Sequence, residues 1–454
     1  MSENVTVERT NNYLRQVRGS VFYKGAAVAA SFLVIPIMIS YLGVVQFGVW
    51  STLLTIMSWV VFFDLGVGNG LRNKVAESLA KDQPNEARSY ISSAYSLIGL
   101  IAIGIWDGGF FVSYGVSWQS VFNTTVLAEE DLRYAVQVAA SFVLLNFWVG
   151  LITALLGAVQ KSALISLAQL FTNVFALLVT YLLYYFTAGS IGKLAWMYGV
   201  GLLGGNLLLT AWFCRKYKYL APELSFQREH LIPLLFVGIR FFIIQLAVLV
   251  VFTIDKILIT QLFGPEHVTE YEVIFKLFSV IVFLHALISS PLWSAYTDAY
   301  HRKDNAWIVK MLGNQLKLYA VVIVGVVFLV FLTKFIVEIW IGHDFAVSLT
   351  LVVFVALFVA ITTWKNIFAI MLNGAGTVNV QLYTALVAMI LNIPLALLMV
   401  KVFGMGVEGI VLAATLSLLF SAVLLPLQVF RLTRAESPDV SMAESTFCAE
   451  QKSF

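Results

Sequence analysis

Six ionisable residues stand where charge is hardest to hold. Lys24, Arg240, Lys276 and Lys365, with Asp107 and Asp255, each fall inside a long run of apolar residues. A charge at the middle of a bilayer-crossing helix costs about 2.5–3.5 kcal/mol on insertion scales, so each needs a reason to be there. Cations so placed can hold an anion stripped of its water, whose oxygens must then find charged donors, and Arg240 adds a bidentate fork. Acids so placed can relay a proton. A second chemistry is suggested by "DLGVGNGLRNK" (64–74), where glycines precede Arg72 and Lys74 as in a phosphate-cradling loop. The spacing excludes a dinucleotide fingerprint, because it reads G-x-G-x-G and follows an apolar run (47–63) too long for a strand. These glycines are expected to end a membrane helix and start an interfacial one, with Asp64 as its cap and Arg72 and Lys74 at headgroup level, where they can also meet an arriving phosphate.

The elements that must position these residues are membrane helices. Of 454 residues, 60% are hydrophobic, 12% are charged and 35 are phenylalanine, more apolar surface than a water-soluble core of this size needs. Residues 21–42 alone span roughly 33 Å at about 1.5 Å per residue. A cleaved signal peptide fits poorly, since the run is too long and follows twenty mostly polar residues. Further runs at 47–66, 89–113, 134–158, 163–186, 190–213, 232–263, 271–296, 311–338, 347–372, 379–402 and 406–430 make about twelve spans. The fold class is therefore all-α and polytopic. Lysines and arginines gather on alternate connections (Arg9, Arg15 and Arg18; Arg72, Lys74, Lys81 and Arg88; Arg215, Lys216, Lys218 and Arg228; Arg302, Lys303 and Lys310; Arg431 and Arg434), which places both termini in the cytoplasm. Cys214 and Cys448 are too few and too scattered for a disulfide framework or a zinc site, and a net charge of +3 implies no nucleic acid. No metal, cofactor or catalytic residue is expected.

The two halves resemble one another. Gly43 matches Gly264, Lys81-Asp82 matches Lys303-Asp304, "NVFALL" from Asn173 matches "NIPLALL" from Asn392, and Gly192 matches Gly409, at separations of 217 to 222 residues. Common order and spacing predict a six-plus-six duplication with both halves in one orientation and a cleft between two bundles. The expected domains are a cytoplasmic segment (1–20), an N-terminal bundle (21–214), a cytoplasmic linker (215–230), a C-terminal bundle (231–432) and a disordered cytoplasmic tail (433–454).

Six stretches, "YLGVVQFGVW", "FFDLGVGNGLRNKVAESLAK", "GIRFFIIQL", "LFGPEHVTEYEVIFKLFS", "LNGAG" and "NIPLALLMVKVFGMGVEGIVLAA", resemble the polysaccharide-transporter branch of the multidrug/oligosaccharidyl-lipid/polysaccharide exporter superfamily, nearest the Wzx-type O-antigen flippases. The resemblance runs from about 12 to 432 and implies a MATE-like fold and a bacterial inner-membrane location. It also implies movement of an undecaprenyl-diphosphate-linked oligosaccharide, for lipopolysaccharide or a related polysaccharide, through a cationic cavity by alternating access. Its motifs do not name the sugar. Membrane lipid, a proton or sodium as coupling ion, and other polysaccharide-assembly proteins are the remaining candidate partners.

For each residue a plainer role competes. Lys24 and Arg240 stand near enough to the cytoplasmic interface to snorkel, while Lys276 and Lys365 lie deeper and favour the cavity. Asp107 and Asp255 are candidates for ion coupling or for structural neutralisation by a nearby cation. Lys334 and Glu338, four apart, are expected to form a structural pair; Lys317 and Lys193 to snorkel; His285 to be a satisfied core residue. Pro36, Pro291, Pro394 and Pro426 mark expected kinks. A cation-coupled multidrug antiporter would favour acids in the cavity. A membrane polymerase or glycosyltransferase would need a large external segment, whereas the longest, about 114–133, is short; a channel would need a ring of like charges.

Overall fold

The computed structural model describes residues 2–60, 66–159, 161–223, 229, 246, 250, 253–289, 292–301, 303–342, 345–377 and 379–435. Its helices are α1 (Ser2–Leu42), α2 (Val44–Ser58), α3 (Val67–Ala80), α4 (Pro84–Gly115), α5 (Trp118–Val121), α6 (Glu129–Val149), α7 (Ile152–Ala158), α8 (Ser162–Phe186) and α9 (Ile191–Lys216). There follow α10, helical over 253–263, then α11 (Pro265–Ser289), α12 (Leu292–His301), α13 (Asn305–Trp340), α14 (Leu349–Gly374), α15 (Asn379–Lys401) and α16 (Val407–Ala435). Among the described residues ten helices are long and apolar enough to cross a membrane. They coincide with ten of the twelve predicted runs. The run at 47–66 is helical over the shorter α2, and most of the run at 232–263 lies outside the described residues.

Hydrocarbon offers no water to a peptide group, so long self-satisfied helices are the structure such runs must take. Their ends are set locally. Ser190 accepts a hydrogen bond from the Lys193 amide, Asp304 from Trp307 and Ser348 from Leu351, while Pro84 opens α4. Pro36, Pro394 and Pro426 lie within α1, α15 and α16, and Pro291 is outside the described residues.

Contacts divide the chain into two compact units. Unit 1 holds Met1–Leu246 with Lys256–Thr269, and unit 2 holds Ala247–Asp255 with Glu270–Phe454. In unit 1, α1 packs on α8 and α6 on α9; in unit 2, α15 and α14 pack on α16. Asn173 donates to the Ala27 carbonyl (2.8 Å) and Asn206 to Asn146 (2.7 Å), polar ties between helices that lipid cannot replace. The strand of chain at 256–269 belongs to unit 1 through a set of bonds. Thr260 meets Thr52 at 2.7 Å, Lys256 donates to Ser51 at 3.2 Å, and Thr269 donates to the Val44 carbonyl at 2.7 Å.

The duplication is visible inside the units. Gly43 and Gly264 both have positive φ (+78° and +104°), the left-handed conformation that a glycine adopts cheaply, and α2 and α11 start one residue later. At the turn after α3, the left-handed residue is Asp82 (φ 57°); after α12 it is Lys303 (φ 58°). The amides that follow, Gln83 and Asp304, reach back to Ser78 and Ala299 at 2.9 Å. Asp82 is thus the counterpart of Lys303, and the lettered match of Lys81-Asp82 with Lys303-Asp304 is one residue out of register. The cores repeat as well: buried Val75, Ala87 and Ile91 in unit 1 answer to buried Tyr296, Ile308 and Leu312 in unit 2, each 221 positions on. By Leu209 and Phe213, which answer to Leu425 and Val429, the offset has fallen to 216. Most of the drift falls in one element, because Glu129–Ala158 has 30 residues and Leu349–Gly374 has 26.

Gly48 on α2 faces Pro265, whose carbonyl oxygen would lie 1.7 Å from an added Cβ. Gly48→Ala should therefore destabilise the protein by about 1–3 kcal/mol through overpacking against backbone. Gly25→Ala, with nothing within 4 Å, should be neutral or gain up to about 1 kcal/mol of helix propensity. Thermal unfolding of the detergent-purified variants measures both.

Candidate functional site

The glycine-rich stretch resolves into a helix start. Gly66 is left-handed (φ 78°) and caps α3 without a side-chain bond, and the Asp64 cap lies outside the described residues. Arg72 is exposed on α3, with its side chain laid over Gly157 of α7: a Cβ there would sit 2.9 Å from Nε. A side chain at 157 would have to displace that of Arg72. Lys74 Nζ bonds Glu77 Oε2 at 2.9 Å, and Lys81 Nζ bonds Glu77 Oε1 at 2.7 Å. Hydrogen bonds from Lys81 and then Lys74 hold the Glu77 carboxyl down at about 2. Lys74 is therefore half neutralised, and Arg72 is the more available of the two cations.

Lys24 lies exposed near the start of the apolar part of α1, and Lys193 and Lys317 are exposed too, as snorkelling requires. Arg240 is outside the described residues. In unit 2, Lys276 and Lys365 are each half-buried. Phe275 of α11 meets Phe358 of α14 with ring centroids 5.9 Å apart, so the neighbours of Lys276 touch α14. Lys365 stands on the Phe358 side of that helix, two turns or about 10 Å further along. Polar groups that the sequence reading passed over surround this pair in the chain. Glu272 is one turn from Lys276 on the same face. Thr362 and Thr363, within a turn of Lys365, have buried hydroxyls with no partner among the described residues; the buried Asn392 amide, elsewhere on α15, also has none there. Threonine and asparagine are common enough in membrane helices that only burial singles these out.

The two acids differ. Asp107 is exposed on α4. Asp255 is 2% exposed; its Oδ2 accepts from the Tyr271 hydroxyl at 3.4 Å and its Oδ1 has no partner among the described residues. Lys256 turns the other way, to Ser51. His285 is a satisfied core residue. Ser289 donates to Gln315 Oε1 (3.0 Å), leaving its oxygen to accept from His285 Nε2 (3.1 Å). The expected pair of Lys334 with Glu338 is not among the ion pairs formed by the described residues. Lys334 precedes its acid, the weaker order for an i,i+4 pair, and turns to the exposed face. No cluster of three or more metal-ligating side chains occurs among the described residues.

The profile of the polysaccharide biosynthesis protein family matches residues 20–297. The chain belongs to that family. Within it, the chain is similar to a Salmonella typhimurium protein named for O-antigen transport, 23% identical over 345 residues, covering 75% of this chain and 78% of the relative. It is also similar to a Yersinia pseudotuberculosis protein named for O-antigen export, 22% identical over 377 residues, 77% of this chain and 80% of the relative. Among solved structures, the family member's fold matches an inward-facing multidrug resistance MATE transporter of the MOP superfamily (TM-score 0.78, 13% identity, 90% of this chain and 96% of that one). It also matches the lipid II flippase MurJ in an inward closed conformation (TM-score 0.71, 14% identity, 92% and 87%). The fold is thus MATE-like and the protein a multi-pass membrane protein. The family profile takes in Arg72, Lys74, Asp107, Asp255 and Lys276 but ends before Lys365.

The Glu77 clamp sets a pH window. A carboxyl held below its usual value of 4.5 stabilises the fold above that value, and the contribution is lost as pH falls towards about 2. Amide hydrogen exchange should show α3 protected at pH 7, and Glu77→Gln should speed exchange there while leaving α13 unchanged.

Proposed function

We propose that this protein is a transporter rather than an enzyme, a flippase for a lipid-linked oligosaccharide. In its finer form the reading is an undecaprenyl-diphosphate-linked O-antigen or related repeat unit, moved from the cytoplasmic to the outer leaflet of the bacterial inner membrane by alternating access through a cationic cavity. The observation that carries it is that Lys276 and Lys365 are each half-buried inside an apolar helix of unit 2, the latter within a turn of the Thr362 and Thr363 hydroxyls, which have no partner among the described residues. Charge kept at that cost in a membrane helix suits a partner of opposite charge, and a diphosphate headgroup entering from water is such a partner. The O-antigen relatives support the sugar, and the fold shared with a lipid II flippase supports the lipid carrier. Arg72 and Lys74, on an exposed helix, suit the first meeting with the phosphate, with both termini and this helix on the cytoplasmic side. An inside-negative potential adds about 2.3 kcal/mol per anionic charge per 100 mV to outward movement.

Asp255 favours a second reading, a cation-coupled antiporter, because a buried carboxyl with one idle oxygen can exchange a proton or sodium. It is a better coupling candidate than exposed Asp107.

Complementation of a flippase-deficient strain tests the proposal. Wild type should restore surface polysaccharide. Lys276→Ala and Lys365→Ala should cut the rate about 10- to 100-fold, as loss of a hydrogen bond to a charged group worth about 1.5–3 kcal/mol requires. Gly157→Val, which displaces the Arg72 side chain, should act as Arg72→Ala does. Full activity of both lysine variants at wild-type protein levels would sink the cationic reading. Export of a cationic drug with no lipid-linked saccharide moved would favour the antiporter.

A further inference from the structure

The end of α9 alternates aromatic and basic residues: Trp212, Arg215, Lys216, Tyr217, Lys218 and Tyr219. This segment is rigid for identifiable reasons. Phe213 and Leu220 are fully buried in the unit 1 core, with Trp212 and Tyr217 packed on it. Beyond them, Arg88 Nε donates to the Ala221 carbonyl at 2.9 Å, Arg88 Nη2 pairs with Glu223 at 2.6 Å, and the Glu223 amide donates to Ser92 Oγ at 3.0 Å. The first part of the predicted linker is therefore strapped to α4.

On that frame the cations are displayed in a fixed arrangement. Lys216 Nζ lies 5.0 Å from the centre of the Trp212 ring and 5.8 Å from that of Tyr217, and the two rings meet edge to face at 6.2 Å. An open groove of about 340 Å³ along one face of α9 is lined by Leu208, Ala211, Trp212, Arg215 and Lys216. Leu208, one to two turns back along the helix, is 63% exposed. Among the described residues no acid forms an ion pair with Arg215, Lys216 or Lys218, and Glu223, the next acid in the chain, is taken by Arg88. The seat is thus cationic at its rim and apolar below, at the end of a helix long and apolar enough to cross the membrane.

We propose that this groove binds one anionic membrane phospholipid, its phosphodiester on Arg215 and Lys216 and an acyl chain along Trp212, Ala211 and Leu208. Charge complementarity names the occupant. Uncompensated cations at the depth where a membrane helix ends face headgroups, and those with net negative charge gain most from them. The exposed apolar wall beneath requires that the anion bring a chain with it, which a free phosphate lacks. The binding is separate from transport of the saccharide, because these residues are distinct from Arg72, Lys276 and Lys365.

The full-length protein in detergent micelles, titrated with phosphatidylglycerol or with phosphatidylcholine of the same chains, is examined by native mass spectrometry. Phosphatidylglycerol should be retained preferentially, and Arg215→Gln with Lys216→Gln should lower its retention about tenfold or more. Lys401→Gln, an exposed cation at the end of α15, should leave retention unchanged. If the double variant unfolds, Lys216→Gln alone, checked by its thermal midpoint, should show the same direction. Equal retention of the two lipids, undiminished retention in the variants, or displacement of the lipid by millimolar inorganic phosphate would overturn the proposal.

Discussion

Hydrocarbon cannot hydrogen-bond, and that fact governs both the helices and the exceptions within them. Side-chain hydroxyls in the spans mostly return to their own helix: Thr55 donates to the Ser51 carbonyl, Thr260 to Lys256 and Thr415 to Val411. Amides reach across to a neighbouring helix, as Asn173 and Asn206 do. Buried polar atoms that do neither are therefore informative. Among the described residues most of them lie in unit 2, including Asp255 Oδ1, the Thr362 and Thr363 hydroxyls and the Asn392 amide. A polar atom left idle in such surroundings costs about 1–3 kcal/mol. Among the described residues unit 2 thus carries hydrogen-bonding capacity that its own packing does not use, part of it within a turn of Lys365.

The duplication sharpens this contrast. Asn173 is spent on the Ala27 carbonyl, while Asn392, which the letters pair with it at an offset of 219, is fully buried and without a partner among the described residues. In unit 1 the polar groups tie helices together, and the notable cation, Arg72, is displayed at a helix surface over Gly157. In unit 2 the cations are drawn into the helices themselves.

The helices were legible because twenty apolar residues in a row admit few structures, and their predicted bounds agree with the observed spans to within a few residues at most ends. The repeat was legible too, although letters misled at one turn. Lys-Asp recurs as a pair, but backbone geometry is set by which residue follows the helix, so the left-handed positions are Asp82 and Lys303. Intramembrane charge singled out Lys24, Arg240, Lys276, Lys365, Asp107 and Asp255 alike, and burial then separates half-buried Lys276 and Lys365 and buried Asp255 from exposed Lys24 and Asp107. What stayed hidden was every effect that depends on a neighbour distant in sequence. Nothing in the letters couples Gly157 to Arg72, Gly48 to Pro265 or Thr52 to Thr260. Conversely, Lys334 and Glu338 have the right spacing, yet theirs is not among the ion pairs formed by the described residues, since spacing permits a contact without supplying a reason to make it.

The placement of Asp255 follows from how the chain is shared. The chain leaves unit 2 after Asp255, contributes 256–269 to unit 1, and returns at Glu270. Both crossing points are fastened within unit 2: Glu270 accepts from the Ser348 amide at 2.8 Å, and Tyr271 donates to Asp255. The buried carboxyl thus bonds the first hydroxyl beyond the return point, tying the two ends of the excursion to each other. The other side of the excursion is held by the Thr52, Ser51 and Val44 bonds. Asp255 thus holds its hydrogen bond at the place where the chain changes units, whereas exposed Asp107 lies within α4, away from that junction. Position, more than the chemistry of aspartate, separates the two acids.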